Sequence, residues 1–427
     1  MDAIRVVLPK QYDLVVGDTF QLFYRGVVEA PNPFCYDVVS TCVKGKNYPR
    51  YFEYTPEAEG QFELTISVYD ACKNLLGGGT TTLCVTEAKE PEKPVSILCI
   101  GDSLTASGAW VLESARRLTG KGGEPEGNGF SNIRFIGTCE KTDSGYEGYG
   151  GWKWESYMSD VPGAIWIAAE GNDKTDEDQH SIWQDEAENQ WKLETITGRL
   201  LKFLPNNQSE PAETIQGKLI HVMHAVHQAD ICFTDMEREK ISPFYSEEAK
   251  GIDFQDYCRR NGFNGMNGVY ILLGWNGLSE NKLPIPEYCK SLAEKARVMV
   301  DAIHKAYPKA WIRILGLQIP SVNGGTGANY GASLPYCDDY GLTRYVMELN
   351  IAYETFCLEP EYSSFLEFIN LSGQFDSDYN MPMAEKCVNT RNKKTEVVGT
   401  NGVHPAYEGY MQIADAVYRN AVKSIRK

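Results

Sequence analysis

VSILCIGDSL, residues 95–104, is the stretch on which the reading of this chain turns. Its first six residues, Val95–Ile100, are apolar except for Ser96, which is the composition of a strand buried on both faces of a parallel sheet. Gly101-Asp102-Ser103-Leu104 follows, ahead of a helical stretch that keeps Trp110, Val111, Leu112, Ala115 and Leu118 on its apolar side. In an open parallel sheet, ligands bind at the carboxyl ends of the strands. Ser103 is therefore expected in a crevice, beside a helix N-terminus that favours negative charge. A serine in that place also serves simply as a helix cap.

The pattern continues downstream. NIRFIG (132–137), GVYILLG (268–274), WIRILGL (311–317) and Phe365–Leu371 read as further core strands. Residues Pro286–Tyr307 and Tyr340–Phe356 read as helices, and Pro405 opens a last one carrying Tyr410, Ile413, Ala414, Val417 and Val422. Strands alternating with helices predict a doubly wound α/β sheet. One long insertion, from Val161 to about Asn267, interrupts the rhythm and holds Trp166, Trp183 and Trp191. It is far longer than ordinary connections of about two to six residues, so it is expected to have structure of its own or to serve binding.

Upstream the period changes to two. Phe62, Leu64, Ile66 and Val68 share one face of a strand, with Glu63, Thr65 and Ser67 on the other. Similar runs at Arg5–Leu8, Thr19–Tyr24, Tyr36–Val43, Arg50–Tyr54 and Thr80–Val85 predict an all-β, Ig-like sandwich, with Gly77-Gly78-Gly79 as a hairpin turn. The charged, proline-bearing linker at 87–94 has nothing to bury. The expected division is a β-sandwich over 1–90 and an α/β domain over 95–427, with the insertion centred on 161–240.

Bulk properties exclude several functions. The 427 residues carry 41 Lys and Arg against 58 Asp and Glu, a formal charge of −17, which disfavours nucleic acid and anionic membrane surfaces. No run is long and apolar enough to span a membrane, and the start, MDAIRVVLPKQYD, lacks the pattern of an export signal. None of the 12 cysteines forms a C-x-x-C pair, and scattered thiols suit a reducing compartment, so a cytoplasmic chain is expected. Nothing calls for a cofactor. His221, His224 and His227 do not share one face of a helix or a strand, so a zinc site is not expected there, and Asp173–Asp178 lacks the calcium-loop pattern.

Chemistry gathers at three further places. His404, in GVHP (402–405), stands just before the last helix, and a serine nucleophile needs such a base to take its proton. Asn276 follows the strand ending at Gly274, where an amide can donate into the crevice. GYEGYGGW (145–152) follows the NIRFIG strand, and its glycines let backbone N–H groups approach a ligand. Asn276 and the glycine run together are the parts of an oxyanion hole, although the glycine run also reads as an ordinary loop.

Four blocks in this order, GDSL (101–104), EGYGGW (147–152), LGWN (273–276) and NGVHP (401–405), resemble the SGNH or GDSL hydrolases. The resemblance covers roughly residues 95–160 and 241–424. It implies a flavodoxin-like three-layer α/β/α fold and a serine esterase, with Ser103 as nucleophile and His404 as base. It further implies an oxyanion hole of Ser103, Gly151 (or Gly150) and Asn276. Family members with an aromatic residue after the oxyanion glycine often act on acetylated carbohydrate, so Trp152, with Asp102 and Trp275, is a candidate substrate contact. The implied partner is a small-molecule or oligosaccharide ester, and the oligomeric state stays open. Two departures stand out. Gly277 follows Asn276 where the family usually has Asp. Asn401 occupies the usual place of the triad acid, leaving a backbone carbonyl, the Asn401 amide oxygen, or an acid such as Asp376 or Asp378 to orient His404. Two alternatives therefore remain: a catalytically weak carbohydrate-binding protein and a lipase-like esterase.

Overall fold

The computed structural model describes residues 3–141, 144–159, 181–185, 190–194, 200–205, 242–278, 281–330 and 338–426. The first seven strands are β1 (Gln11–Val15), β2 (Phe20–Phe23), β3 (Asp37–Thr41), β4 (Lys46–Asn47), β5 (Tyr51–Tyr54), β6 (Gly60–Tyr69) and β7 (Leu75–Thr86). They form two sheets, ordered β1-β7-β6-β3 and β2-β5-β4. Leu14, Leu64, Ile66, Val68 and Leu83 from one sheet meet Phe20, Leu22 and Phe52 from the other in a single core. The alternation read along β6 is thus used as expected: Leu64, Ile66 and Val68 point inward.

The triple glycine is not the turn. Gly77–Gly79 lies inside β7, where a Cβ on Gly77 would fall 1.9 Å from the Ile4 carbonyl oxygen. The chain reverses earlier, where the Asp70 carboxylate accepts the amides of Cys72 and Asn74, and Lys73 takes φ +63°.

The VSILCIG run forms β8 (Val95–Gly101), at the heart of a mixed sheet. Along one edge it pairs in parallel first with β9 (Ile133–Ile136), through Val95–Leu98, and then with β11 (Ser144–Gly148), through Ile100 and Gly101. The short β10 (Cys139–Lys141) pairs antiparallel with β11. On the other edge follow β15 (Gly268–Leu272), β16 (Trp311–Leu315) and β17 (Leu366–Ile369), all parallel. The intervening β12 (Ser181–Asp185), β13 (Gln190–Glu194) and β14 (Leu200–Pro205) form a separate antiparallel sheet within the insertion. Trp166, Asp173–Asp178 and the histidines at 221, 224 and 227 lie outside the described residues, as do the side chains of Trp183 and Trp191.

Every residue of β15 is buried, so both faces of the sheet are covered. The cover comes from α2 (Ala109–Thr119) packed on α8 (Tyr407–Ser424), and α5 (Ile285–Ala306) packed on α7 (Asp339–Cys357). Shorter helices are α1 (Ser103–Ala106), α3 (Trp154–Tyr157), α4 (Phe254–Arg260) and α6 (Gly325–Tyr330). The last helix begins two residues later than expected: Ala406 is its N-cap, so Pro405 precedes the helix instead of occupying its first turn. A hairpin of β18 (Met383–Asn389) and β19 (Lys394–Gly399) leads into the His404 loop.

The N-terminal strands are tied to the rest by buried charges. Asp18 accepts from both Arg117 and Arg419, and Arg117 also pairs with Asp415. Burial alone raises the Asp18 carboxyl, but Arg419 and Arg117 outweigh it and hold the group below its ordinary value.

Candidate active site

Ser103 stands where the strand-to-helix reading put it, on the first residue after the turn leaving β8. The turn is tight: a Cβ on Gly101 would meet Thr105 Oγ1 at 2.1 Å and the Leu272 carbonyl oxygen at 2.7 Å. Asp102 caps α1, with Oδ1 accepting the Leu104 amide at 3.1 Å. Ser103 Oγ lies 2.8 Å from His404 Nε2, and both residues are half-buried.

The histidine loop is held from beneath. Gln318, fully buried, donates Nε2 to the Val403 carbonyl at 2.8 Å, and the Ser321 amide donates to Gly402. A Cβ on Gly402 would run into Thr326, so the loop sits flush on that residue. Asn401 Oδ1 accepts the amides of both Val403 and His404 at 2.9 Å. Those two donors fix the orientation of the side-chain amide, so Nδ2 faces His404 Nδ1 at 3.4 Å. This corrects the expectation that the Asn401 oxygen receives the imidazole proton. On this side of the ring a donor of Asn401 stands where an acceptor was expected. Of the alternative acids, Asp376 pairs with Arg50, and Asp378 with Arg50 and Arg25.

The glycine run arrives at Ser103 as a strand before it becomes a loop. Once Gly148 has paired with Gly101, the Tyr149 amide donates to the Gly101 carbonyl at 3.1 Å. The chain then turns through Gly150 and Gly151, the latter at φ +80°, a conformation that glycine adopts without strain. Asn276 joins this loop to the serine turn. Its Nδ2 donates to the Trp152 carbonyl at 3.0 Å and to Asp102 Oδ2 at 3.3 Å. Gly277, the residue that departs from the family pattern, has φ +94°. The structure therefore brings together Ser103, His404, Asn401, Asp102, Asn276 and the loop holding Gly150 and Gly151.

The expected substrate contacts are corrected by burial. The Trp152 ring is 1% exposed and packs against Tyr149 and Tyr157. Trp275, 7% exposed, donates Nε1 to Gln318. Asp102 is wholly buried. None of the three offers a sugar a surface. Burial also pushes the Asp102 carboxyl up to about 7, against the pull of its backbone hydrogen bonds to Leu104 and to its own amide.

Sequence reading missed Gln318 and Glu147. Glu147 is a buried carboxyl on β11 that accepts from the Thr138 amide, Tyr149 and Tyr257. Burial raises it, and those donors oppose the rise. A carboxyl inside an aromatic and glycine run was the available signal. His304 stacks on Phe365 at 3.6 Å between ring centroids. Among the described residues no cluster of three His, Cys, Asp or Glu is arranged to hold a metal ion, and no helix is long and apolar enough to cross a membrane.

No family model matches the chain, and no curated protein matches it. Among solved structures it is similar to a carbohydrate esterase of family 3 from Talaromyces cellulolyticus, at 11% identity and TM-score 0.34, over 78% of this chain and 98% of that one. It is also similar to Est24, a carbohydrate acetylesterase from Sinorhizobium meliloti, at 12% identity and TM-score 0.33, over 77% and 99% of the two chains. A family two carbohydrate esterase from Clostridium thermocellum, solved with cellohexaose, matches at 12% identity and TM-score 0.30, over 96% and 94%. Likenesses this distant assign neither substrate nor mechanism to this chain.

Proposed function

We propose that the chain is a serine esterase of the SGNH type that removes short acyl groups, acetyl foremost, from carbohydrate. The observation that carries the proposal is the 2.8 Å contact between Ser103 Oγ and His404 Nε2, made across 301 residues of sequence. In this reading residues 95–427 are a flavodoxin-like three-layer hydrolase domain with an insertion at about 161–240, and residues 1–90 are a separate β-sandwich.

His404 Nε2 takes the Ser103 proton as Oγ attacks the ester carbonyl. Negative charge develops on the carbonyl oxygen and is met by the N–H groups of Ser103 and Gly151 and the Asn276 amide. The C–O bond breaks, and the alcohol leaves with the proton from His404. Water then attacks the acyl-Ser103 ester, gives its proton to His404, and releases the acid as Ser103 recovers its own. Tyr407, 68% exposed three residues after His404, supplies an aromatic face for a sugar ring.

A second reading, a carbohydrate binder with a degenerate site, is favoured by one observation: the Asn401 amide faces the imidazole with its donor end. Turnover of nitrophenyl acetate and of acetylated oligosaccharides separates the two. The esterase reading predicts turnover that Ser103→Ala abolishes. Equal rates for wild type and Ser103→Ala would overturn it.

A further inference from the structure

We infer that the N-terminal sheets position the histidine: Arg50 and Arg25, paired with Asp376 and Asp378, fix the segment from which the His404 loop hangs. The inference rests on the esterase reading and goes beyond it, because it places part of the active-site support outside residues 95–427.

The connection is a short chain of bonds. Arg25 lies in the turn after β2, and its neighbour Tyr24 donates its amide to the Arg50 carbonyl at 3.0 Å, so the two guanidiniums leave from one end of the second sheet. Arg50 Nη2 reaches Asp376 Oδ1 at 2.6 Å and Asp378 Oδ2 at 2.8 Å, and Arg25 Nε donates to Asp378 Oδ1 at 3.0 Å. Asp376 Oδ1 also accepts the Asp378 amide, and the Asn380 amide donates to the Asp376 carbonyl, so the charged pairs close a compact turn. The same segment then takes both ends of the histidine loop. The Thr400 amide donates to the Pro382 carbonyl and the Ala406 amide to the Asn380 carbonyl, each at 3.0 Å. His404 stands between those two points with Nε2 on Ser103. A Cβ on Gly409 would fall 2.6 Å from the Asn380 carbonyl oxygen, so the start of α8 lies flush on the segment as well.

The side chains of Arg25, Asp376 and Asp378 are 13%, 13% and 18% exposed, so these pairs are shielded from the water and salt that weaken exposed ones. Burial raises the Asp376 carboxyl, Arg50 pulls it back, and Asp378 adds to the rise. Without Arg50 the two carboxylates repel each other within the turn, and Asn380 loses its fixed place. A misplacement of about 1 Å at a reacting group can cost about 100-fold in rate, and the position of the imidazole is what this turn controls.

The test is kcat and KM on nitrophenyl acetate for Arg50→Ala, Arg50→Lys and Arg5→Ala. Arg5 pairs with Glu348 on α7, so its loss loosens the N-terminal sheets without touching Asp376 or Asp378. Arg50→Ala is expected to lower kcat about 10- to 100-fold, with KM changed by less than about threefold. Arg50→Lys is expected to recover to within about fivefold of wild type, because one nitrogen meets both acids and an ammonium is a point charge. Arg5→Ala is expected to keep the wild-type kcat. A folded Arg50→Ala protein with wild-type kcat, a change confined to KM, equal losses in Arg50→Ala and Arg5→Ala, or an Arg50→Lys protein as slow as Arg50→Ala overturns the inference. If Arg50→Ala does not fold, Ala406→Pro decides it. Ala406 has φ −65°, which proline shares, so the change removes the amide donated to Asn380 and little else. The same fall in kcat is expected there, and wild-type kcat overturns the inference. Loss of turnover in Ser103→Ala with wild-type kcat in Arg50→Ala sinks only this inference. Wild-type turnover in Ser103→Ala sinks the esterase reading beneath it.

Discussion

Replacing Asn401 by Asp should accelerate the enzyme. In the present loop Oδ1 already serves the amides of Val403 and His404, and a carboxylate keeps both bonds. The change falls on the other terminal atom. The N–H now 3.4 Å from His404 Nδ1 becomes an oxygen that accepts the Nδ1 proton. A hydrogen bond to a charged group contributes about 1.5–3 kcal/mol, which at about 1.4 kcal/mol per decade is about 10- to 150-fold in rate. The ceiling is about 10⁴, the loss measured when a protease triad acid becomes an amide. The expected result for Asn401→Asp is thus a kcat gain of at least about 10-fold on nitrophenyl acetate. The acid limb of the profile should move to higher pH, because the carboxylate favours the imidazolium. Asn401→Asp with Ser103→Ala is the silent control. A folded Asn401→Asp protein with unchanged or lower kcat would refute the reasoning that the Asn401 donor holds the enzyme back.

Three further outcomes concern stability. Trp152→Ala should lower unfolding free energy by about 3–5 kcal/mol in denaturant titration, as for any buried large-to-small change, and it tests whether that ring is core. Glu147→Ala should cost about 3–5 kcal/mol, since Thr138, Tyr149 and Tyr257 lose a buried acceptor; Glu147→Gln should cost less. Asp18→Asn should cost about 3–5 kcal/mol by leaving Arg117 and Arg419 buried without their shared partner. The folded Asp18 carboxyl lies below its ordinary 3.8, so its stabilisation is complete above that value and lost as pH falls through the lower folded one. The stability difference between Asp18→Asn and wild type should therefore shrink in acid, as read by guanidinium midpoints.

The sheet was legible because its strands are buried on both faces and therefore nearly continuous in apolar residues. Val95–Ile100, GVYILLG and WIRILGL all fall within a residue or two of the observed strand starts. The glycine run reads as a loop, yet its first part is β11, whose pairing with the end of β8 replaces side-chain signal with backbone hydrogen bonds. The exposed β18–β19 hairpin was missed because it buries almost nothing and so shows no clear apolar alternation. In the site, residue types gave the participants, but not the direction of the Asn401 amide. That direction depends on two backbone donors of the same loop, which no spacing reveals. Trp152 misled for a similar reason. An aromatic beside an oxyanion glycine has the same letters whether its ring faces substrate or core, and here the ring is buried against Tyr149 and Tyr157.

The most direct test of the central claim is to trap the covalent intermediate. Mixing the protein with an activated acetyl ester, quenching in acid and sequencing the labelled peptide by mass spectrometry should find one acetyl group on Ser103. The group should be absent from Ser103→Ala and should accumulate in His404→Ala only on a far slower timescale. Acetyl transfer to another residue, or turnover by the folded protein after Ser103 is removed, would contradict the account.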